Sequence, residues 1–203
     1  IGSAHNSTYR PHSKFPANTI PAFAEALRTG FNGFELDVYV TKDREFIITH
    51  DPYLNKNTTC KGTPAEMTLD EITKGCVANQ NEFVYSPKTA AIPSLTEVFK
   101  TFLENPKLKA VLVDTKPFRK SEIEATLEAF KKSFSNLSPK AMSKINAYVY
   151  SKEMLFALRN KFPNLNLVYD VFLTFDDKSG ALLKPAAVDC KGIPDDCPKC
   201  LGL

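Results

Sequence analysis

Two acidic residues, Glu35 and Asp37, lie two positions apart in a segment of β-branched and aromatic residues. Side chains two apart on a β-strand point to the same face, so both carboxylates are expected on one side of a sheet. Asp114 and Lys116 repeat this spacing in a later strand-like segment. Three acids from two strands predict a hard-oxygen site for one divalent cation, Mg²⁺ or Ca²⁺, with Lys116 available to a phosphate. The competing interpretation is a salt-bridged surface pair without a metal.

The chain contains only three histidines, His5, His12 and His50. His5 follows the first strand-like segment, and His50 ends the strand-like segment that begins at Glu45. If both strands run parallel, both imidazoles emerge at the same rim as the acids. Phosphodiester cleavage needs one group that accepts a proton and another that donates one, which predicts catalytic roles for His5 and His50. His12 lies in a proline-containing loop and receives no role.

Strand-like and helix-like segments alternate along the chain. After the segment that precedes His5, strands are predicted at residues 34–40, 45–49, 110–113, 145–150 and 165–169. Helices are predicted at residues 19–28, 94–103, 121–134 and 152–161. Ser94 opens a capping-box pattern, and Ser121 is expected to cap its helix in the same way, with Glu124 three residues on. This alternation predicts an α/β fold with a parallel sheet, and the short strands favour a TIM-type (β/α) barrel.

A long polar segment, residues 51–93, interrupts the alternation of strands and helices; we call it the excursion. It contains one predicted helix, at residues 68–73. Such excursions are usually functional, and in a barrel this one would lie over the mouth of the active site. Residues 1–203 are expected to form a single domain, because no repeat or linker is visible. After Asp170 only one further strand is predicted, at residues 186–188, so the barrel is expected to be reduced or truncated at its C-terminal end.

The composition is that of an ordinary globular protein, with 203 residues, 43% hydrophobic and 24% charged. The net charge of +3 is small and scattered, which argues against a nucleic-acid partner. No apolar run is long enough for a transmembrane segment. The chain opens at Ile1 without a methionine, which indicates that residues precede it or that a leader was removed. The composition gives no oligomeric state.

Cysteines and sequons bear on the compartment. Cys60 and Cys76 bracket one polar loop and are expected either to form a disulfide or to remain free thiols. Cys190, Cys197 and Cys200 include a C-x-x-C but lack a fourth ligand, so they make only a weak case for a zinc site. Sequons begin at Asn6, Asn57 and Asn136. Together these features slightly favour a secreted or extracytoplasmic protein over a cytoplasmic one.

Several short motifs follow one another along the chain in an order and spacing typical of one enzyme family. They include Pro16-Ala17-Asn18-Thr19, Glu35-Leu36-Asp37-Val38, Thr41-Lys42-Asp43, Thr49-His50-Asp51, Ile92-Pro93-Ser94-Leu95 and Asp114-Thr115-Lys116. In order and spacing they resemble the glycerophosphodiester phosphodiesterase family. The resemblance covers roughly four-fifths of the chain and fades around Asp170.

The resemblance implies a TIM-type barrel that hydrolyses glycerophosphodiesters to an alcohol and glycerol 3-phosphate. It implies one bound divalent cation and a small phosphodiester or lysophospholipid as substrate. It assigns roles to six residues: Glu35, Asp37 and Asp114 as metal ligands, His5 as base, His50 as leaving-group acid, and Lys116 as a phosphate contact.

The chain departs from the family at three positions. Asn6 stands where the family has an arginine, and we place it with Lys116 at the substrate phosphate. Ala17 stands where the family has a glutamate. Arg10 or Lys14 is expected to supply the charge that the missing arginine would carry.

The third departure, Asp114 in place of glutamate, supports a second interpretation. An Asp-x-Lys pattern and a disulfide after the second histidine are similar to sphingomyelinase D-type phospholipases, which form a cyclic phosphate. Two further alternatives are a non-catalytic phosphate-binding barrel and a Zn²⁺ hydrolase that uses His5, His50 and a carboxylate.

Overall fold

A computed structural model describes residues 2–3, 15–78, 89–116, 120–169, 174–175 and 182–183. The strands are β1 (Gly2–Ser3), β2 (Gly33–Val40), β3 (Phe46–Ile48), β4 (Val77–Ala78), β5 (Ala90–Ala91), β6 (Ala110–Asp114), β7 (Ile145–Val149), β8 (Asn166–Tyr169), β9 (Thr174–Phe175) and β10 (Leu182–Leu183). The helices are α1 (Ile20–Arg28), α2 (Leu69–Gly75), α3 (Leu95–Phe102), α4 (Ile123–Phe134), α5 (Pro139–Met142) and α6 (Lys152–Lys161). Short 3₁₀ turns occupy Leu54–Lys56, Pro64–Glu66 and Lys120–Glu122.

Several predicted features lie outside the described residues. They are His5, Asn6, Arg10, His12, Lys14, the strand at residues 186–188 and the three cysteines Cys190, Cys197 and Cys200.

The main sheet is built from parallel strands in the order β1-β2-β6-β7-β8. The connections from β2 to β6, β6 to β7 and β7 to β8 each contain a helix, as parallel pairing requires. The α/β class predicted from the sequence is therefore confirmed.

The strand β3 runs antiparallel to β2, with Val38 opposite Ile48 and Val40 opposite Phe46. The expectation that the strand before His50 is parallel to the first strand is therefore wrong. The five residues between β2 and β3 are too few for a parallel crossover, which needs a dozen or more. The hairpin brings the chain back along β2, and the Thr49 N–H donates to the Asp37 carbonyl at 3.1 Å.

The helices that flank the sheet begin at side-chain caps. The Ser94 hydroxyl accepts from the Glu97 N–H at the start of α3, and the Ser151 hydroxyl accepts from the Met154 N–H at the start of α6. The predicted cap at Ser121 is wrong, because the 3₁₀ turn Lys120–Glu122 precedes α4 and Glu122 caps it without a side-chain bond. The α-helix therefore begins two residues later than predicted, after this tighter turn.

The main core lies between the sheet and these helices. Alternate residues of β2, β6 and β7 face it and are fully buried, namely Phe34, Leu36, Val38, Val111, Val113, Ile145, Ala147 and Val149. The intervening residues, among them Glu35 and Asp37, point to the opposite face. One face of the sheet therefore packs against the apolar core, and the other face carries the polar side chains of the candidate site.

The excursion at residues 51–93 has more structure than its single predicted helix. In its described part, α2, two 3₁₀ turns and the β4–β5 hairpin enclose a second, smaller hydrophobic cluster. Its buried members are Ile47, Leu54, Ile72, Cys76, Ala78 and Ile92. A disulfide joins Cys60 to Cys76 with a Cα–Cα distance of 5.4 Å and closes a loop with a sequence separation of 16. The excursion is thus a cross-linked unit with its own core.

Reduction of the Cys60–Cys76 disulfide is expected to lower the free energy of unfolding by about 3 kcal/mol, the loop-closure entropy of a loop of this size. Thermal or urea unfolding with and without a reducing agent measures the change. A variant with Cys190→Ser, Cys197→Ser and Cys200→Ser isolates this disulfide from other thiols. Equal stability of that variant in both conditions would contradict the expectation.

None of the helices in the described ranges combines the length and the apolar character that crossing a bilayer requires.

Candidate active site

Glu35, Asp37 and Asp114 form an acidic cluster on the face of the sheet opposite the main core. In the register of β2 and β6, Asp37 pairs directly with Asp114, and Glu35 lies two residues earlier on the same face. Each residue offers one carboxylate oxygen, and these three oxygens lie within 4.8 Å of one another. Asp37 is 0% exposed and Asp114 is 8% exposed, so the surface position in the competing interpretation is wrong, although both aspartates are salt-bridged to Lys116.

The buried carboxylate of Asp37 is held from both sides. The Asn18 side-chain amide donates to Asp37 Oδ2 at 2.9 Å, and the Lys116 ammonium lies 2.5 Å from Asp37 Oδ1. A buried carboxylate without such partners would take up a proton instead of staying charged. These contacts give each oxygen of Asp37 a partner and fix the side chain in position.

Lys116 bridges the two aspartates, because its ammonium also lies 2.9 Å from Asp114 Oδ2. Burial opposes the charge of Lys116, but the carboxylates of Asp37 and Asp114 outweigh burial and raise its pKa above the ordinary lysine value. Its backbone adopts a left-handed conformation with φ of 44°. Such a conformation is strained for a lysine and persists only where the surroundings enforce it.

The carboxylate of Asp114 accepts three hydrogen bonds. Oδ1 accepts from the Lys116 backbone N–H at 3.0 Å, and Oδ2 accepts from the Lys116 ammonium at 2.9 Å. The Tyr150 hydroxyl donates to the same Oδ2 at 3.0 Å. Asp114 is therefore fixed by its own turn and by a residue from the end of β7.

The side-chain oxygen of Asn18 indicates whether a cation fits this cluster. Its side chain is 5% exposed, and its Oδ1 is buried without a hydrogen-bond partner among the described residues. A buried carbonyl oxygen of a side chain that contacts the Asp37 carboxylate has room for a hydrogen-bond donor or a cation as its partner. The oxygen-only donor set is the one that Mg²⁺ and Ca²⁺ prefer, so these residues fit a hard divalent ion.

His50 follows β3, and 49% of its side chain is accessible. Its Nδ1 is 3.6 Å from Asp51 Oδ2, a distance that forms an ion pair when the imidazole is protonated. Asp51 also accepts a hydrogen bond from the Asn57 side-chain amide. The antiparallel hairpin thus returns the chain toward Asp37, and Asp51 lies within ion-pair distance of His50.

Tyr39 lies two residues after Asp37, on the same face of β2, and packs against the second hydrophobic cluster. Burial raises the pKa of its phenol well above the ordinary value, and the carboxylates of Asp37, Asp51 and Asp114 add to this against the opposing charge of Lys116. Tyr39 therefore stays neutral at the edge of the acidic cluster.

The raised pKa of Tyr39 predicts a loss of stability in alkali. An unfolded tyrosine ionises near pH ~10. The neutral phenol is favoured in the folded state, so its contribution to stability is complete below that pH and is lost as the pH rises through the folded pKa. Unfolding free energies measured from neutral pH upward are expected to fall more steeply for the wild type than for Tyr39→Phe. Tyr53→Phe, at an exposed tyrosine, is the matched control, and parallel curves for the wild type and Tyr39→Phe would refute the prediction.

The structure brings together most of the predicted site residues that it describes. Glu35, Asp37, Asp114 and Lys116 converge, and Thr49, the residue before His50, donates its backbone N–H to the Asp37 carbonyl. His5 and Asn6 lie outside the described residues.

Sequence reasoning assigned no role to three residues at the cluster, Asn18, Tyr39 and Tyr150. The position of Asn18 in the Pro-Ala-Asn-Thr motif and the i+2 spacing of Tyr39 from Asp37 were available signals. No local pattern connects Tyr150 with Asp114.

Comparison with known proteins yields a family match. The model of the glycerophosphoryl diester phosphodiesterase family matches residues 10–179. A glycerophosphodiester phosphodiesterase of Bacillus altitudinis is 36% identical over 101 residues, which are 47% of this chain and 40% of that protein. A mouse lysophospholipase D is 26% identical over 166 residues, which are 78% of this chain and 52% of that protein.

Solved structures show the same fold. A phosphodiesterase of Oleispira antarctica, in complex with the product sn-glycerol-3-phosphate, superposes with a TM-score of 0.67 at 20% identity. The alignment covers 84% of this chain and 65% of that one. The barrel class predicted from the sequence is confirmed by these neighbours. The chain spans about half or less of the length of these curated relatives.

Proposed function

This chain belongs to the glycerophosphoryl diester phosphodiesterase family, and from that premise we propose that it is a metal-dependent phosphodiesterase. Its proposed substrates are glycerophosphodiesters, which it hydrolyses to an alcohol and glycerol 3-phosphate. The observation that carries the proposal is the cluster of Glu35, Asp37 and Asp114, whose oxygens lie within 4.8 Å of one another in a chain that matches this family. The product bound to the Oleispira antarctica relative supports the choice of substrate.

Glu35, Asp37 and Asp114 would hold one divalent cation, with Asn18 Oδ1 as a further oxygen donor beside them. When bound, such an ion offsets the negative charge that develops on the phosphoryl oxygens. Lys116 is anchored between Asp37 and Asp114, and its ammonium is the charged donor within the cluster that can turn to a substrate phosphate. Asn6, from its position in the sequence motif, is proposed as a second phosphate contact.

The proton transfers are assigned to two histidines. His5, placed by its sequence motif, removes a proton from the attacking water as the new P–O bond forms. His50 donates a proton to the oxygen of the leaving alcohol as its P–O bond breaks. The carboxylate of Asp51 lies 3.6 Å from His50 Nδ1, where it can orient the imidazole for this role.

The disulfide provides information about the cellular compartment in which the protein functions. Disulfides form and persist in oxidising compartments and are rare in the cytosol. The Cys60–Cys76 bond therefore supports our proposal that the chain functions in a secreted or extracytoplasmic setting.

Phosphorus NMR of the reaction products tests the proposed function. The full chain is incubated with glycerophosphocholine and, separately, with a lysophospholipid, with and without EDTA. We expect a glycerol 3-phosphate resonance from glycerophosphocholine that grows with time in the sample without EDTA and is absent from the sample in which EDTA removes the metal. The mouse relative, a lysophospholipase D, is the reason for including the second substrate.

Each other outcome of this experiment rejects the proposal in favour of a different function. A cyclic phosphate would indicate transfer within the substrate, the sphingomyelinase D-like alternative that Asp114 and the disulfide support. Binding without turnover would indicate a non-catalytic phosphate-binding barrel. Restoration by Zn²⁺ but not by Mg²⁺ or Ca²⁺ would indicate a zinc hydrolase.

A further inference from the structure

We propose that Tyr150 is a positioning residue that fixes the Asp114 carboxylate for the divalent cation; this inference rests on the proposed function. Tyr150 follows the last residue of β7, and its hydroxyl donates to Asp114 Oδ2 at 3.0 Å. The two residues are 36 positions apart and belong to neighbouring strands. Tyr150 acts through Asp114 and needs no contact with the substrate.

The orientation of Tyr150 is fixed by the elements on either side of it. Tyr148, two residues earlier on the same face of β7, is the register partner of Asp114. The rings of Tyr148 and Tyr150 meet edge to face, with centroids 5.1 Å apart. Ser151, the next residue, caps α6 through its hydroxyl. Tyr150 therefore lies between a strand and a capped helix, and its hydroxyl is presented to Asp114 with little freedom.

The hydrogen bonds of Asp114 define which of its oxygens can serve a cation. Oδ2 accepts from the Tyr150 hydroxyl and the Lys116 ammonium, which together use its two lone-pair directions. Among the described residues, Oδ1 accepts only the Lys116 backbone N–H. Oδ1 therefore keeps the capacity for one further ligand, and Tyr150 holds the carboxylate in the rotation that presents it.

The second donor on Oδ2, Lys116, cannot perform this task alone. Its ammonium is shared between Asp37 and Asp114, and the proposed function turns it toward a substrate phosphate. Asp114 Oδ2 would then lose its charged donor when the substrate binds. A phenol hydroxyl adds no positive charge, so Tyr150 holds the carboxylate without competing with the cation as a second ammonium would. Groups that hydrogen-bond metal ligands in this way typically change metal affinity or activity by roughly 10- to 100-fold when they are removed.

Isothermal titration of the full chain with Ca²⁺ and with Mg²⁺ tests the inference on the variant Tyr150→Phe, which removes the hydroxyl and keeps the ring. We expect the Kd of the variant for the cation to rise roughly 10- to 100-fold. Tyr148→Phe is the matched control, because it removes a hydroxyl from the same strand and face and leaves the donors to Asp114 in place; its Kd is expected to stay that of the wild type. At saturating metal, the kcat of Tyr150→Phe should recover toward that of the wild type, with KM unchanged.

The outcomes separate this inference from the proposed function. Metal binding by the wild type with an unchanged Kd for Tyr150→Phe would overturn the role of Tyr150 and leave the metal-dependent activity standing. Equal weakening in Tyr148→Phe would overturn it too, since it would indicate a general effect of altering β7. Absence of Ca²⁺ and Mg²⁺ binding in the wild type would overturn both proposals. Thermal unfolding of both variants without metal shows whether either substitution disturbs the fold.

Discussion

Replacing Asp37 by asparagine is expected to lower phosphodiesterase activity by on the order of 10³-fold and to weaken binding of the divalent cation in parallel. A metal ion contributes several kcal/mol of charge stabilisation in the transition state, and each ~1.4 kcal/mol is tenfold in rate. Asp37 is the fully buried member of the acidic cluster, and Asn18 and Lys116 hold its two oxygens. The asparagine keeps the shape of the side chain but removes the charge on which both the cation and Lys116 depend.

The control for this variant is Asp70→Asn, the same chemical change at an exposed helix position where the aspartate pairs with Lys74. Its activity and its affinity for Ca²⁺ are expected to equal those of the wild type. Circular dichroism and thermal unfolding of both variants separate loss of the site from loss of the fold. If Asp37→Asn folded normally and retained full activity, the acidic cluster could not be the metal site.

Replacing His50 by alanine is expected to lower kcat roughly 10²- to 10⁴-fold, the usual contribution of a general acid or base. The defect should depend on the leaving group, because a good leaving group departs without a proton. With glycerophosphocholine the full loss is expected, whereas a nitrophenyl phosphodiester of glycerol should be cleaved at a rate much closer to that of the wild type. Activity assays on the two substrates, at matched metal concentration, measure this ratio.

Two other histidine variants complete that experiment. His5→Ala should lose activity on both substrates, since the proposed base acts before the leaving group departs. His12→Ala should retain activity on both, because no role is assigned to the third histidine. A His50→Ala variant whose losses on the two substrates were equal would remove the acid role from His50.

Local features were readable from the sequence because they depend on neighbours in the chain. The helix at residues 152–161 was predicted with the bounds that the structure gives, and Ser94 caps α3 as expected. The direction of β3 was also deducible, since a five-residue connection cannot carry a parallel crossover. The predicted cap at Ser121 was wrong because the capping pattern does not distinguish the first turn of an α-helix from the 3₁₀ turn that precedes α4.

In the candidate site, too, the features that depend on neighbours in the chain were predictable and the contacts between distant residues were not. The i, i+2 spacing of Glu35 and Asp37 predicts a shared face, and the structure has it. The contacts that fix those carboxylates join residues distant in sequence, such as Asn18 with Asp37 and Tyr150 with Asp114. Such pairs follow from strand register and from the left-handed turn at Asn18, which no single-sequence periodicity encodes.

The strand β3 packs into both hydrophobic clusters, because Phe46 and Ile48 belong to the main core and Ile47 to the smaller one within the excursion. Substrate preference could be changed by replacing the excursion with that of a relative. The packing of Ile47 limits which segments can be used. A transplanted segment must supply apolar side chains that pack against Ile47. Without them, β3 is expected to shift and to move His50, which follows it. Libraries that vary residue 47 together with the graft should yield more active chimaeras than libraries that vary the surface loop alone.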